Sequence, residues 1–212
     1  MTGKSNAIWD SEDCVLLLID YQDGVLDLIF EQDRRVIELN ARTLATFARA
    51  IGVPVVLSTV GVEMGVNTPT IDSLQAALPD TKPIDRSQMN AWEDAEFVAA
   101  VKATGRRKLV IAGVVTSTCL ALPTVDALAD GYEVAFVADA VGDATKEFHE
   151  TALTRLTHAG AVPMTTVAMM AEWFRDWKSP LAAAARDLWV PYKEEWAAFK
   201  RDPRVATPKG LG

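Results

Sequence analysis

The residues best suited to chemistry in this chain stand where apolar runs end. "VLLLID" closes on Asp20, with Gln22 two residues on; "KPID" leads to Arg86; "LVIAGVVTSTC" ends on Cys119. A cysteine in the first turn of a helix meets unpaired amides and the positive end of the dipole, which favour a thiolate. The same amides suit the oxyanion of a tetrahedral intermediate. A carboxylate facing that thiol can serve as its general base. Asp20 has two other readings at this point, the metal-held nucleophile of a phosphatase and a plain strand-ending cap. A lone cysteine is more commonly a small buried hydrophobe. Its place at a strand–turn–helix junction, opposite a strand-ending aspartate, favours the nucleophile for Cys119.

Those positions depend on the elements that carry them. Near-continuous, β-branched-rich runs at 14–20, 53–59, 108–114, 132–139 and 161–166 read as strands buried on both faces, with a weaker short strand near 82–85. Between them, helical spacing covers 34–52, 91–105, 117–131 and 146–160, and each segment ends on a glycine fit for a C-cap. Helix, glycine, strand recurs four times. The expected architecture is α/β, a three-layer α/β/α domain around a six-stranded, parallel, Rossmann-like sheet with right-handed crossovers. Ligands bind such sheets beyond the strands' carboxyl ends, where the strand order reverses. This directs attention to Asp20, Gln22, Thr59 to Glu63, Arg86, residues 114–119 and Asp139. Gln22, Glu63, Asn90 and Trp92 are candidate pocket-lining residues, against ordinary loop or helix packing. Residues 1–212 are expected to form one domain, with a C-terminal helical extension over about 178–212. Trp173, Trp177, Trp189 and Trp196 near that end point to helices packed on the body or to a subunit interface. The tail from 201 onward is expected to be mobile.

Composition excludes several functions. Of 212 residues, 50% are apolar, enough for a sizeable core; 21 basic against 29 acidic residues leave a net charge of -8, which disfavours nucleic acid and anionic membranes as partners. The early apolar run at 14–19 is far too short to span a bilayer, and the first residues lack an apolar signal core, so a cytoplasmic protein is expected. At about 3.3 Å per residue, Cys14 lies roughly 20 Å from the Asp20 end of its strand. That exceeds the ~7 Å limit for a disulfide, so Cys119 should be a free thiol. The two histidines, His149 and His158, stand nine residues apart and share no helix face, so no four-ligand zinc site follows. No cofactor is expected, since no G-x-G-x-x-G follows the first strand to bind a dinucleotide, and no G-x-S-x-G occurs for a serine hydrolase. A tyrosine-phosphatase loop needs arginine where Val125 stands. Papain-like chemistry needs a histidine beside the cysteine, and His149 reads as a surface helix residue.

Two family likenesses bear on Asp20. "DYQDGVL" resembles the haloacid-dehalogenase motif, whose second aspartate comes two residues after the first, and "ADAVGD" resembles its later metal loop. Here Gln22 holds that place and Asp23 comes three residues on, pointing to the opposite face of an extended backbone. By contrast, "LLLIDYQDGVL", "GVVTSTC" and "VADAVGD" with the following histidine resemble the isochorismatase-like cysteine hydrolases over about residues 10–180. "IDRSQMNAW" is most similar to the YcaC subgroup. The resemblance implies Cys119 as nucleophile, Asp20 as general base, and Arg86 where the family usually has lysine. It further implies a cis peptide between Val114 and Val115, with the amides of Val115 and Cys119 forming the oxyanion hole. The second-strand loop, "TVGVEMGVNTP", lacks the aspartate and histidines of zinc-dependent nicotinamidases, so no metal is implied. The expected activity is hydrolysis of a small amide-like or related carbonyl substrate through a thioester. A magnesium-dependent phosphatase and a catalytically vestigial oligomeric scaffold are the alternatives. The expected partners are a small-molecule substrate and copies of the chain itself, in a tetramer or an octamer.

Overall fold

The structure, a computed structural model, describes residues 8–201. The expected mobile tail therefore lies, beyond Arg201, outside the described residues. Six short strands form one parallel sheet: β1 (Cys14–Ile19), β2 (Val55–Val60), β3 (Ile84–Arg86), β4 (Lys108–Gly113), β5 (Glu133–Val137) and β6 (Val162–Met164). Their spatial order is β3-β2-β1-β4-β5-β6. Every residue of β1 and β4 is buried, which is why these runs carry no polar alternation. The strand order reverses between β1 and β4. Ile19 pairs with Gly113 there, so Asp20 and Val114 leave the sheet side by side.

Helices cover the sheet in two groups. On one side, α2 (Arg34–Ile51) packs against α3 (Asp72–Ala77), α7 (Thr166–Phe174) and α8 (Ala182–Arg201). In the other group, α5 (Ala121–Ala129) packs on α6 (Lys146–Ala159), while α4 (Ala95–Ala103) shares with it the turn Ala91–Glu93. Asp33 caps α2 by accepting from the amide of Arg35, and Gly52, at φ 79°, ends it. Phe47 stacks on Trp173 at 6.2 Å, burying the first tryptophan of the C-terminal group, whereas Trp177 stays exposed. Tyr192 of α8 donates to Asn40 of α2 at 2.9 Å, tying the last helix to the body. Among the described residues, no helix is long and apolar enough to cross a membrane.

Two expected helices begin differently from the pattern, each for a local reason. The segment from 91 starts as a short turn because Asn90 accepts from Trp92 N, and Asp94 then caps a new helix by accepting from Phe97 N. The segment from 117 starts as a wide turn, Thr116–Leu120, before α5 takes over. Pro123 fits there, since the first turn of a helix has amides without helical partners to spare. A short helix, α1 (Asp23–Leu26), also follows β1 directly, where the apolar pattern indicated none.

Gly113 shows how closely the wide turn sits on the end of β4. A Cβ built there would lie 2.9 Å from the carbonyl oxygen of Cys119 and 3.0 Å from its carbonyl carbon. Backbone, unlike a flexible side-chain tip, cannot move aside cheaply. Gly113→Ala should lower stability by about 1–3 kcal/mol, as overpacking does, and should displace Cys119. A thermal melt, read together with thiol labelling of the variant, checks both effects.

Candidate active site

The site is built on strand ends. Asp20 directly follows β1 and takes a left-handed conformation, φ 63°, uncommon outside glycine but several-fold enriched for aspartate and asparagine. Conformations of this kind cost of order 1–3 kcal/mol and persist where the surroundings hold them. Here the Asp20 amide donates to Ser58 O at 2.9 Å, and its carbonyl accepts from Gln22 N at 2.8 Å. The side chain is completely buried.

Arg86 reaches it from two strands away. Neighbouring strands lie about 4.8 Å apart, so the side chain must cross the whole of β2, roughly 10 Å from β3 to β1. It crosses by bonding to the strand beneath: Nη1 donates to Ser58 Oγ at 3.0 Å and to Thr59 O at 2.9 Å. At the far end Nη1 and Nη2 meet the two Asp20 oxygens at 2.6 and 2.8 Å. This is a bidentate fork with both side chains at zero exposure. Both carboxylate oxygens are thus engaged. Asp23 lies on the surface, paired with Arg34, and no group of three or more His, Cys, Asp or Glu among the described residues is placed to hold a metal. The arrangement of acidic residues expected of a dehalogenase-type phosphatase is not formed. Asp139 serves the fold instead, accepting from the amide and hydroxyl of Thr166 at the start of α7.

Cys119 lies in the wide turn after β4, and the Val114–Val115 peptide at the start of that turn is cis. Both cysteines are free and buried. The thiol of Cys119 faces the Asp20 carboxylate closely enough to feel its charge, and Thr118 Oγ1 lies 3.6 Å from the sulfur. The helix-start argument for a thiolate does not hold in this resting geometry. Burial pushes the Cys119 thiol up to about 12, the charge and hydrogen bond of Asp20 push the same way, and Thr118 and Arg86 oppose them only in part. The turn amides are also largely committed. Thr116 N donates to Gly142 O at 2.9 Å, Ser117 N to Asp143 Oδ2 at 2.7 Å, and Thr118 N to Val115 O at 3.3 Å. A dipole whose amides are already spent on protein acceptors has little left for a sulfur anion.

His149 takes part in that bracing, contrary to its reading as a surface residue outside the site. The Thr116 hydroxyl donates to Gly142 O at 2.9 Å, so its oxygen accepts from the Nδ1–H of His149, also at 2.9 Å. The ring is half-buried, and that burial lowers its pKa. Thirty-three residues separate the pair, and no local pattern in the sequence announces it.

A cavity of about 240 Å³ opens over Cys119. Its walls are Gly24, Val25 and Leu28 from α1 and the turn after it, Val60, Gly61, Met64, Val66 and Asn67 from the loop after β2, and Ser87 and Met89 from the loop after β3; Val115, Thr118 and Cys119 complete it. None of the four residues expected to line the pocket does so. Gln22 is fully buried and pins the ends of the β2 loop, through Val60 N and O and Thr68 O. Asn90 bonds Asp126, Trp92 bonds Asp130, and Glu63 points its amide at Asp85 while remaining exposed. Polar residues drew the expectation, but the chain uses them as fasteners. Asp85, unnoticed in the sequence, accepts from Thr59 Oγ1 and from the amides of Val62 and Glu63. Against the opposing effect of burial, those bonds hold its carboxyl below the usual range. A larger groove, about 900 Å³, runs along α8 from Tyr192 to Arg201 and shares no lining residue with the site.

A parallel sheet whose switch point sets a cysteine at the wall of an apolar cavity, beside a buried fork-held carboxylate, defines a particular class of α/β protein. Residues 14–168 match the isochorismatase domain, and the chain belongs to the isochorismatase family. It is 38% identical over 177 residues to the probable hydrolase YcaC of Escherichia coli, covering 83% of this chain and 85% of that one. The crystal structure of Escherichia coli YcaC, an octameric hydrolase of unknown specificity, superposes with a TM-score of 0.83 at 33% identity, covering 93% of this chain and 98% of that one. YcaC from Pseudomonas aeruginosa, with hexane-2,5-diol and covalent acrylamide, gives 0.81 at 34% identity, covering 93% and 99%.

The raised thiol pKa leads to an unusual pair of expected outcomes for Asp20→Asn. Removing the carboxylate takes away the second and third causes of the elevation and leaves Arg86 charged nearby. In the resting wild type, iodoacetamide labelling of Cys119 should rise with an apparent pKa above the free-thiol value of ~8.5. In Asp20→Asn that midpoint should fall, while any turnover is lost. Labelling rates of both proteins between pH 6 and 11 give the comparison.

Proposed function

We propose that this isochorismatase-family chain is a hydrolase of small amide-like or related carbonyl substrates, working through a thioester on Cys119. The observation that carries the reading is the thiol set against a carboxylate that Arg86 holds by two hydrogen bonds, at the wall of a cavity. Acrylamide is an electrophile that thiols attack, so the covalent acrylamide of the Pseudomonas aeruginosa relative supports Cys119 as nucleophile.

In this mechanism the thiol stays protonated until substrate arrives. Asp20 takes the proton as sulfur attacks the carbonyl carbon, so no free thiolate has to accumulate. The oxyanion is held by the amides of Val115 and Cys119. The C–N bond then breaks, and Asp20 passes its proton to the departing amine. Water, deprotonated by Asp20, attacks the thioester, the acid leaves, and the proton returns to sulfur. Arg86 keeps its charge throughout, since arginine does not deprotonate in proteins, and acts by orienting Asp20 and by its field. The whole chain works as one domain, with α8 as its C-terminal extension. The octameric Escherichia coli relative supports a homo-oligomer here as well.

A panel of small amides, ureas and vinyl ethers, assayed with wild type beside Cys119→Ala, tests the reaction. Turnover of at least one amide, absent in Cys119→Ala, is the expected result. Magnesium-dependent phosphate release would restore the phosphatase, and no turnover of any substrate would leave a vestigial scaffold. Arg86→Lys should keep most activity. Arg86→Met should lose it and destabilise the fold by about 3–5 kcal/mol, because a buried carboxylate is left unpaired. Light scattering at micromolar concentration should give a mass several times the 23.0 kDa of one chain; a monomer overturns the assembly.

A further inference from the structure

The wall of the cavity over Cys119 says what kind of molecule can sit there. No charged side chain lines it. Its surface is made by Leu28, Val60, Met64, Val66, Met89 and Val115, with only the neutral Asn67, Ser87 and Thr118 as polar side chains beside the thiol. Four of the apolar residues are also unusually open for their size: Leu28 is 52% exposed, Met64 65%, Val66 69% and Met89 58%. Large apolar side chains gathered at one mouth mark a binding surface, whereas scattered ones carry no message.

The two arginines nearest the cavity are already paired. Arg86 spends both terminal nitrogens on Asp20, Ser58 and Thr59, and only its Nε, a single donor, lacks a partner. Arg34, beside α1, is shared among Asp23, Asp27 and Glu38. A carboxylate entering the cavity would exchange water for methyl groups and find no cation to replace it. An ammonium would find no carboxylate among the lining residues either.

Resting on the hydrolase reading, we infer that the substrate is small, uncharged and apolar: a short aliphatic or aromatic amide, or a related carbonyl compound. Its hydrocarbon part packs on Leu28, Met64, Val66 and Met89, and its carbonyl lies at Cys119. The volume, about 240 Å³, is below the ~300–1,000 Å³ of pockets for drug-sized ligands, so the molecule is small. Dicarboxylates such as isochorismate are excluded by the same wall.

Covalent labelling reads this selectivity without requiring turnover. N-propylbromoacetamide, N-(2-carboxyethyl)bromoacetamide and N-(2-aminoethyl)bromoacetamide share one reactive carbon and differ in the charge of a tail of similar length. Sulfur displaces bromide from that carbon, forming the S–C bond as C–Br breaks, and the thiol proton goes to Asp20 or solvent. Rates at Cys119, followed by intact mass and normalised to N-acetylcysteine, should favour the propyl reagent over the carboxylate by about 100-fold, the scale of an uncompensated charge. Met89→Lys and, separately, Val66→Lys should raise the rate of the anionic reagent at least tenfold relative to the neutral one; both residues are exposed, so folding is not at stake. Equal normalised rates for all three reagents, or no gain in either lysine variant, overturn the inference. Hydrolysis of butanamide beside succinamate is measured separately. Selective labelling without turnover of either removes the hydrolase reading and leaves the ligand class standing, whereas preferential turnover of succinamate overturns the ligand class alone.

Discussion

The buried pair between Asp20 and Arg86 is the constraint on which the site depends. It joins the end of β1 to the end of β3 across β2, with hydrogen bonds to Ser58 and Thr59 on the way. Taking two charges out of water costs several kcal/mol each, and only close geometry with further hydrogen bonds offsets that cost. The fork meets this condition at the Asp20 end. It also fixes the carboxylate, which leaves little rotational freedom for the atom set against the thiol. A lysine at position 86 could supply the charge but only as a point, without the plane that aligns both oxygens.

Burial is the main reason the thiol stays protonated, and the pair adds to it. Asp20 beside a buried sulfur raises the thiol's pKa, and Arg86, facing the carboxylate, offsets only part of that effect. A preformed thiolate in this position would set two anions side by side in a largely buried place. In the proposed mechanism, keeping the proton on sulfur until a carbonyl carbon arrives avoids that repulsion. The surrounding turn fits the same plan, with its amides bonded to Gly142, Asp143 and Val115, and His149 holding the threonine that anchors it.

Around this rigid base the cavity wall comes from loops after β2 and β3 and from the residues after β1. Polar side chains in those loops are spent on holding shape: Gln22 pins both ends of the β2 loop, and Asp85 gathers its amides. The surface left for a ligand is correspondingly apolar. On the proposed reading the strand ends carry the chemistry and the loops carry the specificity, so relatives can share the first and differ in the second.

The sheet and the catalytic candidates were legible in the chain itself. Fully buried parallel strands need unbroken apolar runs, and Gly52 and Gly160 mark helix ends because a left-handed backbone favours glycine there. Position after a strand put Asp20, Arg86 and Cys119 among the candidates, and the resemblance to the isochorismatase-like hydrolases picked them out. What the sequence could not determine was which polar residues face the cavity and which fasten the fold. Gln22, Asn90 and Trp92 differ from pocket residues only in the partners they find, and the acceptors of their side-chain N–H groups lie 36 or more residues away. The protonation of Cys119 was hidden for the same reason. Helix position argued for an anion, but burial and a carboxylate 99 residues distant in the chain decided otherwise, and both exist only once the chain has folded.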